Sequence, residues 1–168
     1  DVPAGAESRT VALWVKIDTY GADSGPFRSG TTADGEDFSL EMAGASGTLT
    51  ANGWNADTNF TAPTGTGEWH HVAITYDGTT VRTYFDGVAT EFANQALNTA
   101  ESGIRFGGPR IGRTTNDGAT QSIDDVLIYN RALTSTEITT IFDAGSIPEP
   151  SSALLAMVGL LGLTRRRR

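Results

Sequence analysis

Three acidic residues lie close together in the sequence and could, in principle, hydrolyse a glycosidic bond. Such hydrolases hold two carboxyl groups about 5 to 9 Å apart, one as the acid and one as the base or nucleophile. On a strand, Glu36 points away from Asp37 and Glu41, and the latter two lie about 13 Å apart at strand rise. This spacing predicts solvated acids near a hairpin, no catalytic residue and no enzyme.

Two adjacent histidines, His70 and His71, are the next residues that could do chemistry. Neighbours on a strand point to opposite faces, so the pair is poorly placed to hold one metal ion. No serine is ordered next to either histidine, as nucleophilic catalysis would need. We expect Trp69 and one histidine to be packed or hydrogen-bonded parts of the fold.

A calcium ion is the best candidate cofactor. Calcium takes six to eight oxygen ligands, and four oxygen-bearing side chains occur close together at Asn116, Asp117, Asp124 and Asp125. Because Asp124 and Asp125 would face opposite ways on a strand, at most one of them is expected to bind the ion. The alternative is that an aspartate here caps a turn.

Exposed aromatic rings in loops could form a platform for a sugar. Trp54 and Tyr20 both fall in predicted loops and are the candidate ligand-binding residues. Trp14 and Trp69 lie in predicted strands, where burial is the default. A loop tryptophan can instead cover the edge of a core, so both interpretations of Trp54 stay open.

Alternating apolar residues predict that an all-β domain positions these groups. The segment 9–17 carries apolar residues on both faces and is expected to be a central strand. Asp77-Gly78 and Asp86-Gly87 predict the two turns of a three-stranded meander, and 53–67 is expected to be a polar loop. The other predicted strands are 38–42, 48–51, 69–76, 81–85, 88–92 and 123–129.

A short helix is predicted after the last strand. Thr134 and Glu137 have the spacing of a capping box, and Gly145 is the expected stop. One face of this helix would carry Ile138, Ile141 and Phe142.

Composition limits the function further. Residues 1–147 carry 8 of the 12 basic and 19 of the 20 acidic residues, a net charge of about −11 that disfavours binding to nucleic acid. The chain has no cysteine, so its core rather than disulfides must stabilise it.

The end of the chain predicts export. An apolar run of roughly 14 residues from 151 to 164 is followed by four arginines, and such clusters stay on the cytoplasmic side of a membrane. The run is shorter than the ~20 residues of a comfortable span, which favours a transient anchor over a permanent one. Residues 1–147 are therefore expected outside the cytoplasm.

The order of parts in this tail resembles a PEP-CTERM sorting signal. The resemblance implies a bacterium with two membranes, export, and processing by an exosortase-type enzyme near Pro-Glu-Pro. The mature protein would then reach the cell surface or an extracellular matrix. The matching residues are Pro148, Glu149 and Pro150, followed by Arg165, Arg166, Arg167 and Arg168. A Pro-bounded linker before an ordinary tail anchor is the alternative.

Two other segments resemble a laminin G-like domain of the concanavalin A-like lectin and glucanase superfamily. They run from Gly67 to Gly87, including Trp69-His70-His71-Val72-Ala73, and from Ile123 to Ile138. The resemblance implies a jelly-roll sandwich of two antiparallel sheets, and calcium binding is frequent in that family. Only residues 1–8 precede the strand at 9–17, so the family's first strand is expected upstream, in a longer precursor.

The expected organisation has three parts: a domain at 1–145, a linker at 146–150, and a hydrophobic segment, expected to be helical, with its arginine cluster at 151–168. The favoured function is glycan recognition or adhesion at the cell envelope. One alternative is a structural matrix or protein-adhesion protein without a small ligand. A remnant of a polysaccharide hydrolase is the other, and it is disfavoured by the acid spacing.

Overall fold

The computed structural model describes residues 3–22, 24–42, 48–53, 55, 58–61, 66–92, 95–109, 114 and 118–145. These residues form ten strands and one helix. In chain order they are β1 (Arg9–Thr19), β2 (Ser24–Gly30), β3 (Asp37–Met42), β4 (Thr48–Asn52), β5 (Thr58–Thr61), β6 (Trp69–Tyr76), β7 (Val81–Phe85), β8 (Val88–Phe92), β9 (Ile104–Phe106), β10 (Thr120–Tyr129) and α1 (Ser135–Ala144). The linker and the sorting tail lie outside the described residues.

The strands form two antiparallel sheets of five strands each. The first sheet has the order β10-β1-β6-β7-β8, and the second has the order β5-β4-β3-β2-β9. Strand β1 pairs with both β6 and β10, which confirms the predicted central strand. The predicted all-β sandwich is therefore correct. The edge strands are β10 and β8 in the first sheet and β5 and β9 in the second.

The main core lies between the two sheets. From β1 it receives Val11, Leu13, Val15 and Ile17, while Thr10, Ala12 and Trp14 alternate onto the outer face. The second sheet contributes inward-facing residues at the same period of two, among them Phe27, Phe38, Leu40 and Met42. The period-two pattern explains why β3 can have a wholly apolar inner face and polar residues on its outer face.

The helix covers the outer face of the first sheet, and we call the covered region the helix face. Ala12 and Ala73 are small enough for α1 to approach the sheet, and Ile138 is fully buried there. The Thr134 hydroxyl accepts the Glu137 backbone N–H at 3.3 Å, and the Glu137 carboxylate accepts the Thr134 N–H at 2.9 Å. The predicted capping box and helix are confirmed.

The predicted meander is confirmed as β6, β7 and β8. Asp86 and Gly87 have φ of 46° and 79°, as in the type I′ turns that suit two-residue hairpins. The earlier turn is a longer loop, 77–80. There the Asp77 carboxylate accepts hydrogen bonds from the N–H groups of Thr79 and Thr80. Partial burial by itself would raise the pKa of Asp77, but these hydrogen bonds and the one from Arg82 outweigh it and lower the pKa to about 2.

The predicted loop at 53–67 requires a correction, because it contains β5. This strand pairs with β4 in register from Thr48↔Thr61 to Ala51↔Thr58. Four residues are too few for an alternation to be visible in a sequence. Residues 58–61 form a strand because they pair with the edge of β4, and this edge exists only after the sandwich has formed.

Candidate ligand-binding edge of the sandwich

One side of the sandwich is formed by an edge strand from each sheet. Strand β9 ends the second sheet and β10 ends the first, and an open groove of about 570 Å³ lies between them. We call it the edge groove. Its lining comprises Phe106, Gly107, Gly108, Ala119, Thr120, Gln121, Ile123 and Val126.

An exposed aromatic ring forms one wall of the edge groove. Phe106 lies directly opposite Phe27 in the ladder, and the two ring centroids are 5.9 Å apart. Phe27 is fully buried, whereas Phe106 keeps 41% of its surface exposed because β9 has a neighbour on one side only. An apolar ligand face that covers this ring gains about 25 cal/mol for each Å² removed from water.

Gln121 on β10 also lines the edge groove. The Gln121 side-chain N–H group donates to the Gly25 carbonyl at 3.1 Å, which fixes the orientation of the amide. The Gln121 Oε1 atom is buried and accepts no hydrogen bond from the protein. Leaving a buried acceptor unsatisfied costs about 1 to 3 kcal/mol, and a ligand donor reaches this atom only if the side chains that cover it move.

Two consecutive glycines form the floor beside the ring. Gly107 and Gly108 have φ of 68° and 86°, a left-handed conformation that side-chain-bearing residues rarely adopt. A Cβ built on Gly108 would meet nothing within 4 Å, so the space above it is empty. The edge groove therefore combines an aromatic face, exposed backbone and a few polar groups, which is the usual composition of a small-ligand site.

The predicted calcium ligands are only partly described. Asp124 and Asp125 are exposed on β10, at the end of the edge groove formed by Val126. A register shift opposite Leu13 marks a bulge, and Asp125 has φ of 47° there with its N–H donated to the Asp124 carboxylate at 2.8 Å. The bulge interrupts the strict alternation expected of a strand. Asn116 and Asp117 lie outside the described residues.

Tyr20, the one predicted sugar-binding aromatic among the described residues, does not line the edge groove. Tyr20 is half-buried and packs against the main core, and this burial raises the pKa of its hydroxyl. Trp54 lies outside the described residues. A ligand role for these two residues stays a prediction.

The acidic residues on β3 require a correction. Glu36 precedes the strand, and its carboxylate accepts a hydrogen bond from the Thr31 hydroxyl at 2.6 Å. Asp37 and Glu41 are not solvated as expected, because they are only 2% and 7% exposed. Glu41 forms an ion pair with the buried Arg28 at 2.7 Å on the outer face of the second sheet. Sequence alternation placed both acids on one face correctly but did not reveal the cationic partner of Glu41.

Both histidines belong to the fold, on opposite faces of β6 as predicted. His70 Nδ1 lies 2.8 Å from Asp86 Oδ2, and its ring packs on Phe85. His71 lies on the helix face between Trp14 and Phe142, with 1% of its surface exposed. Burial lowers the pKa of His71, with a smaller opposing effect from Asp86. These contacts tie the β7–β8 turn and the helix to the sheet.

The edge-groove residues Phe106 and Gln121 gave no recognisable signal in the sequence. Strand β9 has three residues, too few to show an alternation, although the glycines at 103, 107 and 108 on either side do mark a segment with unusual backbone requirements. Only the pairing of β9 with β2 shows that Phe106 lies at an edge.

Comparison with known proteins identifies the family of this chain. Residues 2–139 match the sequence profile of the concanavalin A-like lectin/glucanases superfamily. The chain belongs to this superfamily. Residues 146–168 match the PEP-CTERM protein-sorting motif, which confirms the resemblance seen in the tail. No curated protein matches the chain significantly.

Solved structures from several sources share the fold of this superfamily member. The binding domain of botulinum neurotoxin serotype G aligns with a TM-score of 0.65 and 17% identity over 87% of this chain. A heptameric pentraxin from Limulus polyphemus gives 0.64 and 19% over 87%, and a Trypanosoma rangeli sialidase solved with sialic acid gives 0.66 and 22% over 84%. The chain spans 38% of the toxin structure, 74% of the pentraxin and 24% of the sialidase. At these identities the comparison establishes the fold alone.

No helix in the described part of the chain is long and apolar enough to cross a membrane. Nor do the described residues contain a cluster of three or more histidine, aspartate or glutamate side chains that could hold a metal ion.

Proposed function

We propose that this superfamily member is the recognition module of an exported protein and that it binds carbohydrate at the edge groove. The supporting observation is the exposed ring of Phe106 in an open groove of about 570 Å³ that Gln121 also lines. A sugar ring has an apolar face of C–H groups and a rim of hydroxyl groups. Its apolar face would cover Phe106, and its hydroxyl groups would hydrogen-bond to polar groups of the groove.

The solved relatives agree with a binding role for this fold. Two are binding domains of botulinum neurotoxins, one of them solved in complex with SialylT, and one is a sialidase solved with sialic acid. Because this chain spans only 24% of the sialidase, that enzyme's activity does not transfer to it. We infer a lectin-like module that is not a hydrolase, since the candidate acids on β3 are buried and Glu41 is paired with Arg28.

We propose that the tail directs processing by an exosortase. The protein would be held transiently in the inner membrane by residues 151–168 and then released to the cell surface or the extracellular matrix. Changing Pro148 and Pro150 to alanine is expected to leave the unprocessed mass in the membrane fraction of the host. Changing Ser151 and Ser152 to alanine is the matched control, and equal processing of both variants would contradict the proposal.

Calcium stays a proposed cofactor near Asp124 and Asp125. The described residues supply only these two carboxylates there, and Asp124 already accepts the Asp125 N–H. A complete set of six to eight oxygens would need Asn116, Asp117 or water. Calorimetric titration of the full chain is expected to give saturable calcium binding that Asp124→Asn weakens. Equal affinity in the native chain and in Asp124→Asn would remove Asp124 as a ligand.

A structural or protein-adhesion role is the second candidate. It is favoured by Val126 and Ile128, two apolar side chains that are each 37% exposed on the edge strand β10. Such a protein needs no small ligand, so it predicts no binding to isolated glycans.

A glycan array probed with the full chain in mild detergent separates the two candidates. Native protein is expected to bind selected glycans, and Phe106→Ala is expected to abolish that binding. Val88→Ala is the matched control, because Val88 is 71% exposed on β8 at the opposite edge of the first sheet. A blank array with folded native protein, or equal binding by Phe106→Ala, would overturn the groove as a sugar site.

A further inference from the structure

A second cavity, of about 510 Å³, lies beside the start of β1, and we call it the end cavity. One wall is the segment that precedes β1, and the other is the segment 100–104 that leads into β9. Among the described residues, the end cavity and the edge groove share no lining residue. The lining of the end cavity comprises Pro3, Ala4, Glu7, Ser29, Ala100, Glu101, Ser102, Gly103 and Ile104.

Hydrogen bonds hold the two walls of the end cavity together. Gly5 and Thr99 exchange two backbone hydrogen bonds, at 2.7 and 3.1 Å. The fully buried guanidinium of Arg9 donates to the carbonyls of Gly5 and Glu7, at 3.1 and 2.9 Å. Arg9 also donates to the Thr99 hydroxyl on the other wall. The end cavity is therefore formed before a ligand arrives, which lowers the entropic cost of binding.

Two carboxylates line the end cavity without a cationic partner. Glu7 and Glu101 are exposed, and their side chains form no hydrogen bond or ion pair with any residue that the structure describes. Arg9 is the nearest buried cation, and it donates to backbone carbonyls rather than to carboxylates. Burial lowers the pKa of Arg9 to about 10, and the attraction of Tyr76 and Glu7 opposes this shift only in part. Two negative charges against one buried positive charge favour a cationic ligand.

Ser29 supplies a third acceptor to the end cavity. It lies two positions from the buried Phe27 on β2, and therefore on the same core-side face of the strand. Ser29 is only 7% exposed, and its hydroxyl forms no hydrogen bond with any described residue. Buried hydroxyl groups normally have a partner. Unlike Gln121 Oε1, the Ser29 oxygen is not enclosed by protein, so a ligand in the end cavity can reach it.

We propose that the end cavity binds the ammonium group of an amino sugar. An ammonium group has three N–H donors, and Glu7, Glu101 and Ser29 offer three acceptors. Pro3 and Ile104 supply apolar contacts for the sugar ring, and the volume is typical of a small-molecule site. An ammonium group fixed to a ring avoids the rotamer entropy, about 2 kcal/mol, that a lysine side chain loses on binding.

The test compares the disaccharide of glucosamine with its N-acetylated form, which keeps the rings but loses the charge. Binding of each to the full chain in mild detergent is measured by calorimetric titration at pH 6. We expect the native chain to bind the free amine about tenfold more tightly or better. Glu7→Gln and Glu101→Gln should each remove most of this preference, and Ser29→Ala should remove part of it.

Glu68→Gln is the matched control, because it removes an exposed carboxylate next to β6 in the first sheet with the same change of net charge. It should leave the preference intact. The four arginines of the tail are present in every variant, so they cannot produce a difference between variants. Equal affinity for the two disaccharides, or equal losses in Glu7→Gln and Glu68→Gln, would overturn the proposal.

Two further measurements identify the ligand and separate this site from the edge groove. Tighter binding of tetralysine than of the glucosamine disaccharide would overturn the amino sugar as the ligand. Phe106→Ala should leave the glucosamine preference unchanged, and its loss in that variant would place the ligand in the edge groove instead. A failure of the edge groove to bind neutral glycans would remove the proposed function and leave the end cavity standing.

Discussion

The helix face and the edge groove are two apolar surfaces outside the main core, and they differ in whether the chain covers them. On the helix face the chain supplies its own partner, because α1 covers Ala12 and Ala73 and buries Ile138 completely. In the edge groove Phe106 and Val126 stay 41% and 37% exposed. The difference indicates that the first surface serves stability and that the second is available to a ligand.

The largest change in the free energy of unfolding is expected for a substitution at Ile138. Ile138→Ala removes a fully buried side chain and should lower the free energy of unfolding by about 2 to 5 kcal/mol, measured by urea denaturation. The matched truncation in the edge groove is Val126→Ala, which should cost less than about 1 kcal/mol because Val126 is partly exposed. Equal losses would mean that the edge groove is as much a part of the core as the helix face.

The cap of α1 should have a smaller effect. Thr134→Ala removes the hydroxyl that accepts the Glu137 N–H, and the expected loss is about 1 kcal/mol. Thr139→Ala, at an exposed position inside the same helix, is the control and should change stability by less than about 0.5 kcal/mol. A loss at Thr139 as large as that at Thr134 would show that helix content, not capping, is being measured.

A change of pH should have the smallest effect, through His71. Burial lowers the pKa of His71 below its ordinary 6.5, while Asp86 partly opposes the shift. The unfolded chain therefore takes up the proton first, and stability falls as the pH drops from 7 towards 5. The low pKa values of Asp77 and Glu137, each about 2, place their contributions in a separate window at more acidic pH.

The check is a series of denaturation curves between pH 7 and pH 5. His71→Leu removes the titrating group and should flatten the profile relative to the native chain. An identical slope in both proteins would show that His71 does not couple the helix face to pH.

Local elements were predictable because their signals are contained in neighbouring residues. The β6–β8 meander follows from alternation and from the Asp86-Gly87 turn, and the helix follows from Thr134 and Glu137. The sorting tail is also a local signal, and residues 146–168 match its motif. Each of these depends on contacts within a few residues or on one hairpin.

The site depended on contacts between distant parts of the chain. Strand β9 pairs with β2 more than 70 residues away, and this pairing alone places Phe106 at an edge. The buried ion pair of Glu41 likewise required the neighbouring strand that carries Arg28. A three-residue strand and a single polar position have no period of their own that a sequence could reveal.

By itself, the sequence determined the alternating strands, the capped helix and the sorting tail, because periodicity, turn residues and a charged terminus act locally. The arrangement of the strands in two sheets was implied by the resemblance to the superfamily. Only the tertiary structure decided which strands became edges. An edge is a property of the assembled sheet, since a strand is exposed on one side only when no other segment pairs with it. The exposed Phe106 and the unsatisfied Gln121 Oε1 both follow from that assembly.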